Sequence, residues 1–181
     1  MIRSVLLALI LVLAPLAAQA QGSNPGAEHK WSVGTGIGFG SSIGSGPFSQ
    51  SGFLWQLDGQ YRVIDPLSVG LYLQVVPVDG GTIFTFAADG RYHFDLGSQS
   101  NDFVSRLSPY LGFGFGLAHA GSDFGNASDN GALFAFITGI EYDINEHVAL
   151  TSDMRFNLVA GNDADDTFFY TWQLIGARYR F

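Results

Sequence analysis

Acidic and basic side chains recur two residues apart in several short stretches of this sequence. Asp89 precedes Arg91, and Asp153 precedes Arg155, each with one residue between them. In an extended strand, residues two apart lie on the same face, so these opposite charges can pair. The spacing predicts a network of ion pairs on one face of a sheet. Its ten members are Asp58, Arg62, Asp89, Arg91, Glu141, Asp143, Asp153, Arg155, Arg178 and Arg180.

Other residues capable of chemistry form weaker patterns. His119, Ser122 and Asp123 are a possible hydrolytic cluster, but a lone histidine is more often an ordinary polar residue. The acidic run at 163–166 offers oxygen ligands of the kind that Ca²⁺ prefers, yet it fits no defined calcium loop. His93, beside Asp89 and Arg91, is interpreted as a hydrogen-bonded interior residue rather than a pH switch. We therefore expect no enzyme and assign no catalytic, cofactor or metal site.

The elements that carry these charges alternate in polarity with a period of two. From Trp31 to Phe39, large side chains occupy one parity and Ser or Gly the other. Helical spacing would not separate the two sets, and repeated glycine would weaken a helix. Eight such segments of roughly 10 to 13 residues follow one another, which matches the roughly 9–11 residues that a membrane strand needs. An even number of strands returns both termini to the same side.

The two faces of these segments point to a membrane. All ten network charges fall on one parity, whereas the other parity is apolar and aromatic. A charge facing lipid near the bilayer centre costs roughly 2–4 kcal/mol, so a membrane would enforce this separation. A soluble barrel would place its charges outside instead. The sequence predicts an all-β fold: an eight-stranded antiparallel, up-and-down transmembrane β-barrel with the charges in its lumen.

Aromatic residues near the strand ends predict two interfacial girdles. Some polar residues conflict with the lipid-facing parity: His119, Thr171 and Gln173 near the outer rim, and Ser152 nearer the middle. A bulge in the eighth strand would resolve part of this conflict. The girdles comprise Trp31, Tyr61, Phe94, Tyr110, Tyr142, Tyr179 and Phe181 at one rim, and Phe53, Trp55, Phe84, Phe134 and Phe169 at the other.

The first 20 residues have the features of a secretory signal peptide. Arg3 precedes the apolar run 5–13, and Ala18 and Ala20 form an Ala-x-Ala ending, so cleavage is expected before Gln21. An uncleaved anchor helix is less favoured because Pro15 interrupts the run. We predict residues 1–20 to be the signal peptide and residues 21–181 to be one barrel domain.

Composition narrows the classes of partner. The chain has no cysteine, which excludes disulfides and thiolate metal sites. Its formal net charge is −8, and becomes −9 when Arg3 is lost, so nucleic acid is not an expected partner.

The chain resembles the small outer-membrane β-barrel family that includes the OmpA transmembrane domain, OmpX-like proteins and many porin-family proteins. The resemblance rests on the strand start 109–114, the hairpin 141–147 and the terminal Arg178-Tyr179-Arg180-Phe181. It implies a Gram-negative outer-membrane location among lipids and lipopolysaccharide. It also implies transient contact with periplasmic chaperones and the barrel-assembly machinery, for which Tyr179 and Phe181 would be the signal.

Three functions remain open at this point. We favour a structural or surface-interaction role with a plugged polar lumen and an unidentified surface ligand. The alternative is a narrow porin-like channel for ions or small solutes, suggested by glycine rows that could leave part of the lumen empty. A barrel enzyme acting on lipid A or phospholipid has less support, because His-x-x-Ser differs from the His-x-Ser arrangement of lipid A deacylases.

Overall fold

The computed structural model describes residues 30–42, 51–78, 81–96, 102–122, 128–161 and 167–181. Their alternating polarity forms eight strands that confirm the predicted fold class. The predicted signal peptide lies outside the described residues. The strands are β1 (Trp31–Ser42), β2 (Gly52–Ile64), β3 (Leu67–Val78), β4 (Gly81–His93), β5 (Leu107–Ser122), β6 (Ser128–Asp143), β7 (Val148–Gly161) and β8 (Thr167–Arg180).

Each strand pairs antiparallel with its neighbours in sequence, and β1 pairs with β8 to close the barrel. The closure extends to the last residue, since the Phe181 amide donates to the Trp31 carbonyl at 2.9 Å. We call the end that carries Trp31 and Phe181 the terminal end and the opposite end the loop end. Closure leaves no unpaired strand edge, as hydrocarbon requires.

Short turns join the strands at the terminal end. Asp65 and Pro66 connect β2 to β3, and residues 144–147 connect β6 to β7. In the second turn the Asn145 side chain accepts hydrogen bonds from the amides of His147 and Val148 at 2.9 and 2.8 Å. These local bonds are typical of an Asn side chain that stabilises a tight turn.

A longer connection joins β4 to β5, and the sequence gives no role for it. It contains a one-turn helix, α1 (Asp102–Ser105), with the Phe103 ring 5.3 Å from the Tyr142 ring. The Arg106 carbonyl accepts from the Asp143 amide at 2.9 Å, and its guanidinium donates to the Ile144 carbonyl at 3.4 Å. This connection therefore packs against the start of the next turn. Within the described ranges no helix is long and apolar enough to cross a bilayer.

The barrel wall separates apolar from polar side chains. Large apolar residues such as Phe113, Leu117 and Ile175 are well exposed on the outside, whereas buried polar and charged residues such as Gln56 and Arg155 point inward. In water such an exterior would be a large hydrophobic liability, but in a bilayer it is solvated by acyl chains. The described barrel is therefore built to face lipid.

A β-bulge interrupts the alternation in β8. Leu174 and Ile175 both face outward, with 45% and 66% of their surfaces exposed, and the pairing register shifts at this point on both sides of the strand. The extra residue reverses the parity of everything before it. Thr171 and Gln173 consequently point into the lumen, each 1% exposed. Their lipid-facing parity near the outer rim is wrong, and the bulge expected in the eighth strand is confirmed.

The bulge also accounts for Ser152, the polar residue on the lipid side. Its hydroxyl donates to the Gln173 carbonyl at 3.1 Å and accepts from the Trp172 indole nitrogen at 3.3 Å. The backbone departs from the regular ladder at the bulge, and a bilayer supplies no water to its carbonyls, so the hydroxyl gives the Gln173 carbonyl a hydrogen-bond donor.

We expect the Ser152→Ala variant to lose about 1 kcal/mol of unfolding free energy, since both hydrogen bonds of the hydroxyl are removed and their partners stay in the membrane. Urea unfolding in lipid vesicles, followed by tryptophan fluorescence, measures the loss. Ser152→Thr keeps the hydroxyl and should retain most of the stability. An alanine variant as stable as the parent would show that the bulge needs no such partner.

Two residues assigned to the girdles occupy the lumen instead. Tyr110 is 1% exposed because it shares the inward parity of Gly112 and Gly114 in β5. Phe169 is 3% exposed because the β8 bulge turns it inward along with Thr171. Both girdle assignments are therefore wrong, and both rings pack inside the barrel.

Candidate functional site: the charged lumen

The middle of the lumen is organised around Asp153 on β7. Its carboxylate accepts from the Arg155 Nε at 2.9 Å, from the Tyr110 hydroxyl at 3.1 Å and from the Gln56 amide at 3.4 Å. Asp153 and Arg155 are 2% and 0% exposed. Ionised groups this deeply buried are tolerated only when paired and hydrogen-bonded, and here Asp153 and Arg155 pair with each other.

A second ion pair lies alongside on β4. The Arg91 Nε donates to Asp89 at 2.8 Å, while Gln60 donates to the other Asp89 oxygen at 2.7 Å. Arg91 also approaches Asp58 of β2 at 3.5 Å. Asp58 accepts from the Arg178 guanidinium at 2.6 Å, which connects the middle of the lumen to its terminal end.

The terminal end of the lumen continues the chain of charges. Arg178 lies 3.6 Å from Glu141, and Glu141 also binds Arg180. Arg180 donates to Asp143 at 2.5 Å. Arg62 lies near this group and donates to the Asp65 carbonyl at 3.3 Å. The structure thus places all ten network residues inside the barrel, with Arg62 and Asp143 partly exposed at its mouth.

Two tyrosines complete the packing around the arginines. The Arg155 guanidinium lies 3.8 Å from the centre of the Tyr72 ring, and Arg91 lies 5.3 Å from that of Tyr110. Such cation–π contacts stabilise a desolvated guanidinium on the side that carboxylates do not reach. The inward parity of Tyr72 was visible in the sequence, but its partner depends on packing across the barrel.

Polar side chains without charge fill the next layer towards the loop end. Gln74 donates to Gln56 at 2.8 Å and to the Thr171 hydroxyl at 3.1 Å, and it accepts from Thr85 at 3.2 Å. These bonds join β2, β3, β4 and β8 across the interior. A solute passing through the lumen would have to displace them.

An apolar layer closes the lumen at the loop end, and sequence reasoning missed it. We call this layer the apolar cap. Its residues lie on the inward face of each strand, in the half nearest the loop end. The alternation of the sequence already placed them inward, but the charges on the same parity drew attention to a polar lumen. The cap consists of Leu54, Val76, Ile83, Leu133, Val159 and Phe169, each at most 3% exposed.

The glycine rows do not open the lumen. A Cβ on Gly36 would lie 2.5 Å from the Gln173 side chain, and one on Gly112 would lie 2.6 Å from the Gly90 carbonyl and 3.2 Å from the Arg91 side chain. Neighbouring side chains and backbone therefore occupy the space that these glycines leave. Glycine here permits close approach rather than a passage.

The other candidate residues lie apart from this network or outside the described residues. His119 faces the outer side of β5 and shares a 2.8 Å hydrogen bond with Asn130. The Ser122 side chain, Asp123 and the acidic residues 163–166 lie outside what the structure describes. His93 contacts the Ser68 hydroxyl at 3.0 Å inside the barrel. Among the described residues, no three histidine or carboxylate side chains are grouped to hold a metal ion.

An eight-stranded barrel with an apolar exterior and a polar interior is the architecture of small bacterial outer-membrane barrels. The chain matches the outer membrane protein beta-barrel domain over residues 5–181 and belongs to that family. The resemblance to small outer-membrane barrels is confirmed, and the family indicates an outer-membrane location.

Solved structures with this fold include three small outer-membrane barrels. Neisserial surface protein A (NspA) superposes with a TM-score of 0.70 and 21% identity over 83% of this chain and 97% of its own. Ail, the attachment invasion locus protein of Yersinia pestis, gives 0.52 and 19%, covering 84% and 99%. OprG of Pseudomonas aeruginosa gives 0.51 and 16%, covering 84% and 96%. At these identities the likeness establishes the fold alone. No match was found among curated protein sequences.

Proposed function

We propose that this protein is a non-conducting outer-membrane barrel that serves as a structural scaffold and presents its loop end for surface interaction. The observation that carries the proposal is the continuous filling of the lumen. Arg91, Arg155, Leu54 and Leu133 are all fully buried, although they line the interior of a barrel. An eight-stranded barrel has an interior that side chains can fill, and here they do.

The ion-paired half of the lumen and the apolar cap obstruct a permeating ion in different ways. The ion-paired half holds each arginine against a carboxylate, so a permeating ion would have to break these pairs in a confined, poorly hydrated space. The apolar cap offers no partner to an ion and excludes water, as hydrophobic constrictions in channels do. Closure by two unlike layers supports a scaffold over the alternative of a narrow channel.

A surface role is supported by the names of two barrels with this fold, a neisserial surface protein and an attachment invasion locus protein. We place the terminal end in the periplasm, since its β2–β3 and β6–β7 connections are short, as periplasmic turns of outer-membrane barrels are; the β4–β5 connection is the exception. The surface ligand is unassigned. Membrane lipids and lipopolysaccharide are the proposed surroundings, and no catalytic residue is part of the proposal.

Single-channel recording tests the proposal directly. The mature protein, refolded and reconstituted in planar bilayers, should give no openings above those of a protein-free bilayer at any voltage within the stability of the membrane. Discrete, reproducible openings would overturn the scaffold and favour the narrow channel. Folding of the reconstituted protein is checked by the shift in its electrophoretic mobility on heating.

The last residues are proposed as the signal read by the barrel-assembly machinery. Tyr179 and Phe181 are exposed on the outer wall of β8 and its end, with their rings 6.0 Å apart. Because Phe181 is 57% exposed, its ring contributes little to internal packing and remains accessible to a partner.

We expect Phe181→Ala to reduce the amount of folded protein in the outer membrane several-fold in cells while changing the stability of the refolded protein only slightly. Phe113→Ala is the matched control, since this ring is 63% exposed on the middle of the wall. Quantifying the heat-modifiable species in outer-membrane fractions gives the result. Equal losses for both variants would show that position 181 is an ordinary lipid-facing aromatic residue.

A further inference from the structure

The connection between β4 and β5 carries an aromatic side chain onto the outside of the barrel. The Phe103 ring in α1 lies 5.3 Å from the ring of Tyr142, which is on the outward-facing parity of β6. A side chain that packs on the outer face of the wall lies on the lipid side of the barrel rather than beneath its opening. Phe103 is still 58% exposed, so Tyr142 covers only part of it. The rest of the ring is an apolar surface at the end of the wall.

The residues that lead out of β4 continue the same surface. The Phe94 amide donates to the Pro109 carbonyl at 2.8 Å, which extends the pairing with β5 beyond the end of the strand. Alternation keeps Phe94 on the lipid side, where its ring lies 5.1 Å from that of Tyr92. Leu96, two residues further along, is also exposed. We call the three exposed residues Phe94, Leu96 and Phe103 the apolar patch.

The level of the patch along the barrel axis follows from β5. The outward-facing residues of this strand are apolar from Leu107 to Leu117, and the next one, His119, is polar. A strand segment of this length, tilted by about 40°, rises roughly 26 Å, which matches the apolar band of about 25 Å in outer-membrane barrels. Leu107 therefore marks the boundary of the band at the terminal end, and it pairs with Tyr142. Because Phe103 packs on Tyr142, it lies where hydrocarbon gives way to headgroups.

The other side of the connection is polar. Residues two apart in a helix point about 200° apart, so Ser105 faces away from Phe103, and it is exposed. Asp95, between Phe94 and Leu96, is exposed as well. Segments with one apolar and one polar side lie in the plane of the membrane surface, and aromatic residues favour that layer.

We propose that the β4–β5 connection is a membrane-surface anchor, whose apolar patch inserts into the headgroup boundary of the leaflet at the terminal end. Its partner is the phospholipid of that leaflet, and the rings contact the glycerol groups and the first methylene groups of the acyl chains. Lipid is the partner because the patch is continuous with the lipid-facing wall through Tyr92 and Tyr142. The anchor gives a role to the long connection that the scaffold role does not explain, and it does not depend on whether the lumen conducts.

Spin labelling tests the anchor, since the chain has no cysteine and accepts single labelled positions without background. The full mature protein carrying Phe103→Cys with a nitroxide label is refolded into vesicles of phosphatidylethanolamine and phosphatidylglycerol. Electron paramagnetic resonance then compares collisions of the label with oxygen, which concentrates in hydrocarbon, and with a nickel chelate, which stays in water. Ser105→Cys is the matched control on the opposite side of the same helix, and Leu111→Cys on the wall is the lipid reference.

We expect the oxygen-to-nickel accessibility ratio at position 103 to be several-fold higher than at position 105 and below that at position 111. Equal ratios at positions 103 and 105 would overturn the proposal, because the helix would then lie in water. A label at position 103 that neither reagent reaches would also overturn it, because a protein would then cover the patch.

A second measurement leaves the chain unaltered, since a nitroxide is itself apolar and could draw the helix towards lipid. The mature protein is placed in nanodiscs of the same two phospholipids, and magnetisation transfer between its side chains and the lipid is recorded by nuclear magnetic resonance. The ring protons of Phe103 should give cross-peaks to glycerol and to the first acyl methylene groups, whereas the Leu111 methyl groups should contact the chain interior. Cross-peaks from the Phe103 ring to water but not to lipid would contradict the anchor. Conductance plays no part in either measurement, so their outcomes are separate from that of the scaffold test.

Discussion

Asp153→Ala should lower the unfolding free energy by about 3–5 kcal/mol, because it leaves the Arg155 guanidinium buried in the lumen without its carboxylate. The same change removes the acceptor of the Tyr110 hydroxyl and of the Gln56 amide. Urea unfolding in lipid vesicles provides the measurement. We expect this to be the largest effect of any single truncation in the charge network.

Two companion variants separate charge from packing. Asp143→Ala, at the partly exposed mouth, should cost much less, since its partner Arg180 keeps Glu141 as a second carboxylate. Asp153→Ala combined with Arg155→Ala should be more stable than Asp153→Ala alone, because the uncompensated charge is then gone. A double variant at least as unstable as the single one would contradict the view that the cost lies in the stranded guanidinium.

The sequence predicted the wall of the barrel better than its interior. Alternation placed Asp89, Arg91 and Asp153 on one face because the side-chain period of a strand is two. The same rule applied to β5 would have placed Tyr110 inside. Tyr110 was assigned to a girdle only because aromatic residues are common at the membrane surface. Parity is thus the stronger signal where the two disagree.

The errors in β8 had a different origin. One extra residue at Leu174–Ile175 inverts the parity of Phe169, Thr171 and Gln173. The polar Thr171 and Gln173 on the lipid-facing parity indicated a bulge in this strand, but they did not give its position. The partner of each charge could not be predicted from the sequence either. Arg178, for example, binds Asp58, which lies 120 positions away in the chain. That contact is set by the register of closure between β1 and β8, which the sequence does not display.

The apolar cap and the ion-paired half form two barriers in series, and this arrangement predicts how the barrel can be opened. Arg155→Ala removes a central side chain from the lumen but leaves Leu54, Leu133 and Phe169 buried above it. Replacing those three cap residues by serine hydrates the cap but leaves the ion pairs in place. We expect each change alone to remain silent in planar bilayers and the combination of all four substitutions to conduct.

The same argument predicts which ions pass through the combined variant, and it also provides a matched control. With Arg155 gone, Asp153 keeps a carboxylate without its nearest cation, so the combined variant should favour cations over anions. Alanine in place of serine at the three cap positions removes similar volume but leaves an apolar constriction that stays dry, and this version should remain closed. Openings in the alanine version would show that bulk alone seals the cap. Openings with Arg155→Ala alone would show that the cap is not a barrier, and the lumen would then be closed by its charges.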